Sequence, residues 1–143
     1  MAAQRRELRA PVLSVDPGRD KCGIAVVAAD GRVLHQAVVA AANIAETVAE
    51  VISEYEVRTL ILGDRTAAKK VEAALRGASV ALKPVFVDEH RSSEQGRRRY
   101  FRDNPVRGWR RLVPLTLQTP PRPYDDCVAI VLAERYLSDL KQD

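Results

Sequence analysis

The chain has 143 residues, 46% of them apolar and 29% charged, with 23 basic and 19 acidic side chains. That is enough for one domain with a real hydrophobic core, and it excludes a disordered polymer. No apolar run approaches the roughly 18 residues of a membrane span, and two cysteines without CxxC spacing plus two histidines support neither zinc nor a catalytic thiol, leaving oxygen ligands for any metal.

In chain order, "MAAQRRELRA" (1–10) carries charges with no apolar stretch behind them. It reads as a short frayed arm and not a signal peptide, which makes the expected location cytoplasmic. A single domain is expected over 11–140. Val12–Val15, Gly23–Ala29 and Val33–Ala40 are apolar segments predicted as an antiparallel meander, with Asp30-Gly31 a two-residue hairpin signal. Asn43, with Glu46 three residues on, is placed as a helix cap, and Ile44, Val48, Val51, Ile52 and Tyr55 follow at helical spacing. Thr59–Asp64, "TLILGD", is the signature of a strand buried on both faces. "TAAKKVEAALRG" is predicted as a helix closed by Gly77, "VALKPVFVDEH" as a strand, and Ser92 with Gln95 as the start of a helix through about Arg102. Five prolines and a glycine between Asn104 and Pro123 make 103–123 a long loop, and a last helix runs from about Tyr124 to Leu140. Cys22 and Cys127 lie in apolar segments and read as small buried hydrophobes. Helices between strands imply right-handed parallel crossovers. The expected fold is therefore α/β, a mixed five-stranded sheet with helices on both faces.

Acids end the strands that this order makes parallel: Asp16, Asp64, and Asp88-Glu89. Asp125 and Asp126 open the last helix. Sites in open α/β sheets lie outside the carboxyl ends of strands. A cluster of carboxylates repels itself unless a cation neutralises it, and hard oxygen ligands select Mg²⁺ or Mn²⁺. Two such ions about 4 Å apart are the usual device for in-line attack on a phosphodiester. Singly, Asp16 reads as a turn residue and Asp125 as a helix cap.

The charge is uneven. Residues 1–89 are balanced at 12 basic and 12 acidic side chains, whereas 90–122 hold nine arginines against Glu94 and Asp103. One reading is a solvated helix face. The other is a phosphate-binding surface, favoured because aromatic residues are interleaved. In that surface Arg97, Arg98 and Arg102 of the third helix, and Arg91, Arg107, Arg110 and Arg111, contact phosphates; Arg19 and Lys21 of the first turn either neutralise phosphates as well or are plain surface charges. Tyr100, Phe101 and Trp109 stack on bases, with a core role as the alternative for Phe101.

"SVDPGRDKCGIAV" resembles the first strand and turn of RuvC-type resolvases and their YqgF relatives in the ribonuclease H-like superfamily. "VFVDEHRSSEQGRRRY" is similar to the YqgF-type stretch, usually Asp-Glu-Arg and two hydroxyl residues, and "DDCVAIVLAERYL" to the closing helix. The resemblance spans about 12–137. It implies a ribonuclease H-like fold and a Mg²⁺- or Mn²⁺-dependent nuclease with a two-metal site. By position, Asp16 matches the first-strand acid, Glu89 the acid of the Asp-Glu pair, and Asp125 the acid of the last helix, with Asp126 beside it as the other candidate ligand. Asp64 matches no acid of the YqgF pattern but occupies the fourth-strand end where other superfamily members place one. His90 takes the place of the usual arginine, Arg91 follows it, and the 103–123 loop is longer and more basic than expected. The implied partner is nucleic acid, either structured RNA, as in YqgF-type rRNA processing, or branched DNA, which RuvC-type relatives cut as dimers, so a homodimer goes with the second. The alternative is a non-catalytic nucleic-acid-binding or ribosome-assembly factor retaining the fold.

Overall fold

The computed structural model describes residues 9–65 and 67–142. The strands are β1 (Val12–Asp16), β2 (Lys21–Val27), β3 (Val33–Ala40), β4 (Thr59–Gly63) and β5 (Val85–Val87). The helices are α1 (Ile44–Tyr55), α2 (Ala68–Gly77), α3 (Ser92–Asp103) and α4 (Asp125–Gln142), with short 3₁₀ turns at Ala41–Asn43, Gly108–Leu112 and Leu115–Leu117. The sheet order is β3-β2-β1-β4-β5. β1–β2 and β2–β3 pair antiparallel, and β1–β4 and β4–β5 pair parallel. This is the mixed five-stranded sheet expected, and it brings the carboxyl ends of β1, β4 and β5 to one edge.

Alternation along the strands sorts the core into two layers. Leu13 and Val15 of β1, with Ile24, Leu60 and Leu62, pack against Ile44, Val48 and Val51 of α1 and Val71 and Leu75 of α2. Val12, Ala25, Val27 and Ile61 face the other way, onto Ala129, Ile130 and Ala133 of α4. Because α4 has the sheet on one side and α3 on another, residues Asp126–Ala133 are buried without interruption. Among the described residues, no helix is long and apolar enough to cross a membrane.

Several local expectations change. The β2–β3 turn is longer than two residues: Ala28 N–H donates to the Arg32 carbonyl (2.8 Å), with Gly31 at φ 92° inside the turn. The Asn43 side chain makes no capping bond, since a 3₁₀ turn already leads into α1. α2 ends at Gly77, but the left-handed residue that turns the chain is Ser79 (φ 57°). β5 shrinks to three residues; Val80 and Leu82 pack on the core from irregular backbone, and Pro84, which has no N–H for a ladder, precedes the strand. Cys22 and Cys127 are buried free thiols, as expected. The arm at 1–10 falls largely outside the described residues.

Candidate active site at the carboxyl edge of the sheet

Asp16 ends β1 opposite Gly23 of β2. By alternation its side chain shares the face of Val12, toward α4. Two glycines open that space. A Cβ at Gly23 would collide with the backbone of Asp125 and Asp126, and one at Gly63 with the carboxylate of Glu89. Bare backbone on the strands flanking Asp16 thus lets the first turn of α4 and the Glu89 side chain settle on either side of it.

Glu89 is 1% exposed. Its Oε2 accepts the Arg65 backbone N–H at 2.7 Å, with the Arg65 Nε 3.9 Å away. The Arg65 guanidinium also donates to the Glu89 carbonyl (3.2 Å) and to Ser93 Oγ (3.4 Å). The Glu89 N–H donates to Asp64 Oδ1 at 3.2 Å. Arg91, left-handed at φ 57°, turns the chain sharply from Glu89 into α3. Asp88 points outward, where its Oδ1 accepts the His90 N–H.

The electrostatics follow from this packing. Burial, then a hydrogen bond and charge repulsion from Glu89, then repulsion from Asp125, push the Asp16 carboxyl up to about 9, with Arg65 opposing. Burial and the adjacent Asp126 also raise Asp125. Asp16 and Asp125 line one cavity of about 430 Å³ with Ser93, Tyr124 and the Thr119–Pro123 segment. Among the described residues, no three acidic, histidine or cysteine side chains already close on one point at ligand distance.

Of the five acids predicted for the site, the fold brings Asp16, Glu89 and Asp125 together. Asp64 is exposed and engaged with the Glu89 backbone. Asp126 is turned away and already supplied with donors: Gln36 Nε2 on β3 (2.8 Å), the Cys127 N–H (2.9 Å) and Arg122 (3.2 Å). Arg19 and Lys21 are exposed on the β1–β2 turn and at its end. Arg91, Arg98 and Arg102 line an open groove of about 1030 Å³ beside β5, together with Phe86; Arg97 is half-buried. Arg107, Trp109, Arg110 and Arg111 are exposed on the loop. Tyr100 and Phe101 are not available to bases: they are buried with Cys127, where α3 crosses α4.

No protein-family model and no curated protein matches the chain. Solved structures do. RuvC of Thermus thermophilus in complex with a Holliday junction substrate superposes with a TM-score of 0.59 at 19% identity, covering 92% of this chain and 96% of that one. A second Thermus thermophilus RuvC structure gives 0.55 at 18% identity, over 86% and 90%. The chain has the RuvC fold. The mixed sheet with its helices is therefore ribonuclease H-like, and the likeness to RuvC covers nearly the whole of both chains.

Proposed function

We propose that the chain is a divalent-metal-dependent nuclease that hydrolyses phosphodiester bonds in structured nucleic acid, with Asp16, Glu89 and Asp125 as its acids. One observation carries this: Asp16 and Glu89 are held against each other in a buried site, where burial and the neighbouring Glu89 disfavour a charged Asp16 unless a cation is present. Structural roles rarely need that arrangement, whereas a hard cation does.

The donor set fits Mg²⁺ or Mn²⁺, since it is all carboxylate oxygen with no imidazole or thiolate within it. Asp16 and Glu89 would hold the metal, with Asp125 closing in from α4. When bound, such ions supply a nucleophile from water at neutral pH and stabilise the leaving oxygen. The remaining work belongs to the chain. The Arg65 N–H and Asp64 fix Glu89 from both ends. Gln36 and Arg122 hold Asp126, which orients the first turn of α4 and leaves Asp125 as the acid facing the site. Arg19 and Lys21 at the β1–β2 turn, and Arg91, Arg97, Arg98, Arg102, Arg107, Arg110 and Arg111 on α3 and its flanking segments, neutralise phosphates, with Trp109 as the base-stacking residue.

The likeness to a RuvC held on a Holliday junction substrate supports branched DNA as substrate, and the Asp-Glu stretch with its YqgF resemblance supports RNA. The test is incubation with Mn²⁺ or Mg²⁺ and two labelled substrates, a four-way DNA junction and a structured RNA, beside the Asp16→Asn variant. Metal-dependent cleavage that falls at least a hundredfold in the variant is expected, and the substrate that is cut identifies the branch. Salt-sensitive binding without cleavage under either metal would make the chain a binding module.

A further inference from the structure

Glu89 follows the least supported strand of the sheet. β5 has only three residues and lies at the sheet edge, so its ladder runs to β4 alone. The segment Asp88–Arg91 then joins it to α3, and Arg91 takes a left-handed conformation, φ 57°, that side chains rarely adopt. Such a backbone persists only where its surroundings hold it. Three successive carbonyls of this turn accept from arginines. That of Glu89 takes Arg65. Those on either side of it, Asp88 and His90, take the two ends of a single guanidinium, that of Arg135 on α4, at 2.7 and 2.5 Å. The Gln95 side chain of α3 accepts from the same guanidinium at 2.9 Å, which fixes its plane.

The two helices are joined without Arg135. Arg99 of α3 donates to Glu134 of α4, and Tyr100 and Phe101 pack on Cys127. Arg135 instead reaches the backbone that presents Glu89. The same helix carries Asp125 in its first turn, ten residues or about 15 Å along the axis from Arg135. α4 therefore contributes one acid of the site directly and holds the segment that bears another. The chemistry of the contact calls for arginine: a planar fork spans two carbonyls that lie on either side of one residue, whereas a lysine ammonium is a point charge.

We infer that Arg135 is a positioning residue for metal binding: by gripping the carbonyls of Asp88 and His90 it sets Glu89 in register with the acid that α4 itself carries. The inference rests on the nuclease reading above and adds a residue that touches neither metal nor substrate. The test is Mn²⁺ binding without substrate, followed by paramagnetic resonance of the free ion well below the thermal midpoint of every variant. Arg135→Ala is expected to weaken binding about tenfold, and Arg135→Lys to restore only part of the loss. Glu134→Gln, which breaks the neighbouring link between the helices, is expected to lower the thermal midpoint and leave Mn²⁺ affinity unchanged. A double-mutant cycle separates positioning from a merely structural role. In a Glu89→Gln background, Arg135→Ala is expected to cost about twofold or less, because the ligand it places has already lost its charge. Should Arg135→Ala fail to fold, Arg135→Lys and Gln95→Ala, which frees the guanidinium while keeping its charge, carry the same cycle. Unchanged Mn²⁺ affinity in these variants, or an undiminished loss in the Glu89→Gln background, overturns the positioning role and leaves the nuclease reading intact. A wild-type chain that binds no Mn²⁺ overturns the nuclease reading itself.

Discussion

Asp16 holds a proton that the unfolded chain would release. Its carboxyl is raised to about 9, chiefly by burial and by Glu89, whereas an unfolded aspartate titrates near 4. Between those values the folded state binds more protons than the unfolded state, so the metal-free protein loses stability as pH rises from about 4 toward 9. Asp16→Asn removes the titration. In metal-free buffer at pH 8 the variant is expected to be more stable by about 1–3 kcal/mol, the order of the cost of a buried polar group without its partner, with the gap closing toward pH 4. Urea unfolding at the two pH values measures it, and equal stabilities throughout would mean a solvated Asp16. Arg65 acts on the other acid, bracing the Glu89 corner through the Glu89 carbonyl and Ser93. Arg65→Ala is expected to weaken Mn²⁺ binding about tenfold, the scale of removing a group that orients a metal ligand, as read by paramagnetic resonance titration. The acids themselves were legible, because a carboxylate at the inner end of an apolar strand is conspicuous. Arg65 was not: its contact with Glu89 spans 24 positions, and an isolated arginine after a strand has no pattern. Nor did spacing distinguish Asp125 from Asp126, since Gln36, ninety positions away, is what captures the latter.

The strands and helices place these side chains through two positions that carry none. Gly23 admits the first turn of α4, and Gly63 admits the Glu89 carboxylate. The consequences of filling them differ. At Gly23 the obstacle is backbone, so Gly23→Ala must push α4 away from β2 and is expected to cost about 1–3 kcal/mol or more of stability, seen as a lower thermal midpoint. At Gly63 the obstacle is the side chain of Glu89, which can rotate. Gly63→Ala is therefore expected to leave the midpoint within a few degrees while greatly reducing Mn²⁺ binding and cleavage. A matching loss of stability in both variants would show that Glu89 is as immovable as a backbone. Element order and type could be read from the periodicities, whereas ends could not. β5 is cut short after Pro84, and Asn43 stands at the N-cap of α1 without a side-chain capping bond. Tyr100 stands amid arginines in the sequence and reads as a base-stacking surface residue, and Phe101 as that or as core; both are buried because α3 crosses α4 at that point.

Charge across the molecule follows the architecture. The balanced 1–89 segment builds the sheet, α1 and α2, while the nine arginines of 90–122 lie at the residue that opens α3, on α3 and in the loop after it. Binding to nucleic acid should then be steeply salt-dependent, with a slope that falls by roughly 0.9 for each phosphate of duplex DNA that is no longer neutralised. Replacing Arg107, Arg110 and Arg111 by glutamine is expected to lower that slope by about 2 to 3, and an unchanged slope would remove the loop from the binding surface. This division was visible in the composition. What was not visible is that the loop leaves and rejoins the body at one place, with Val106 and Tyr124 on the same aromatic cluster. Such a base makes the loop a cassette. Lengthening a flexible loop twofold costs only about 0.6 kcal/mol in closure entropy, and neither α3 nor α4 has to move to accommodate it. The loop can therefore be exchanged, by evolution or by grafting, without disturbing the frame that carries Asp16 and Glu89.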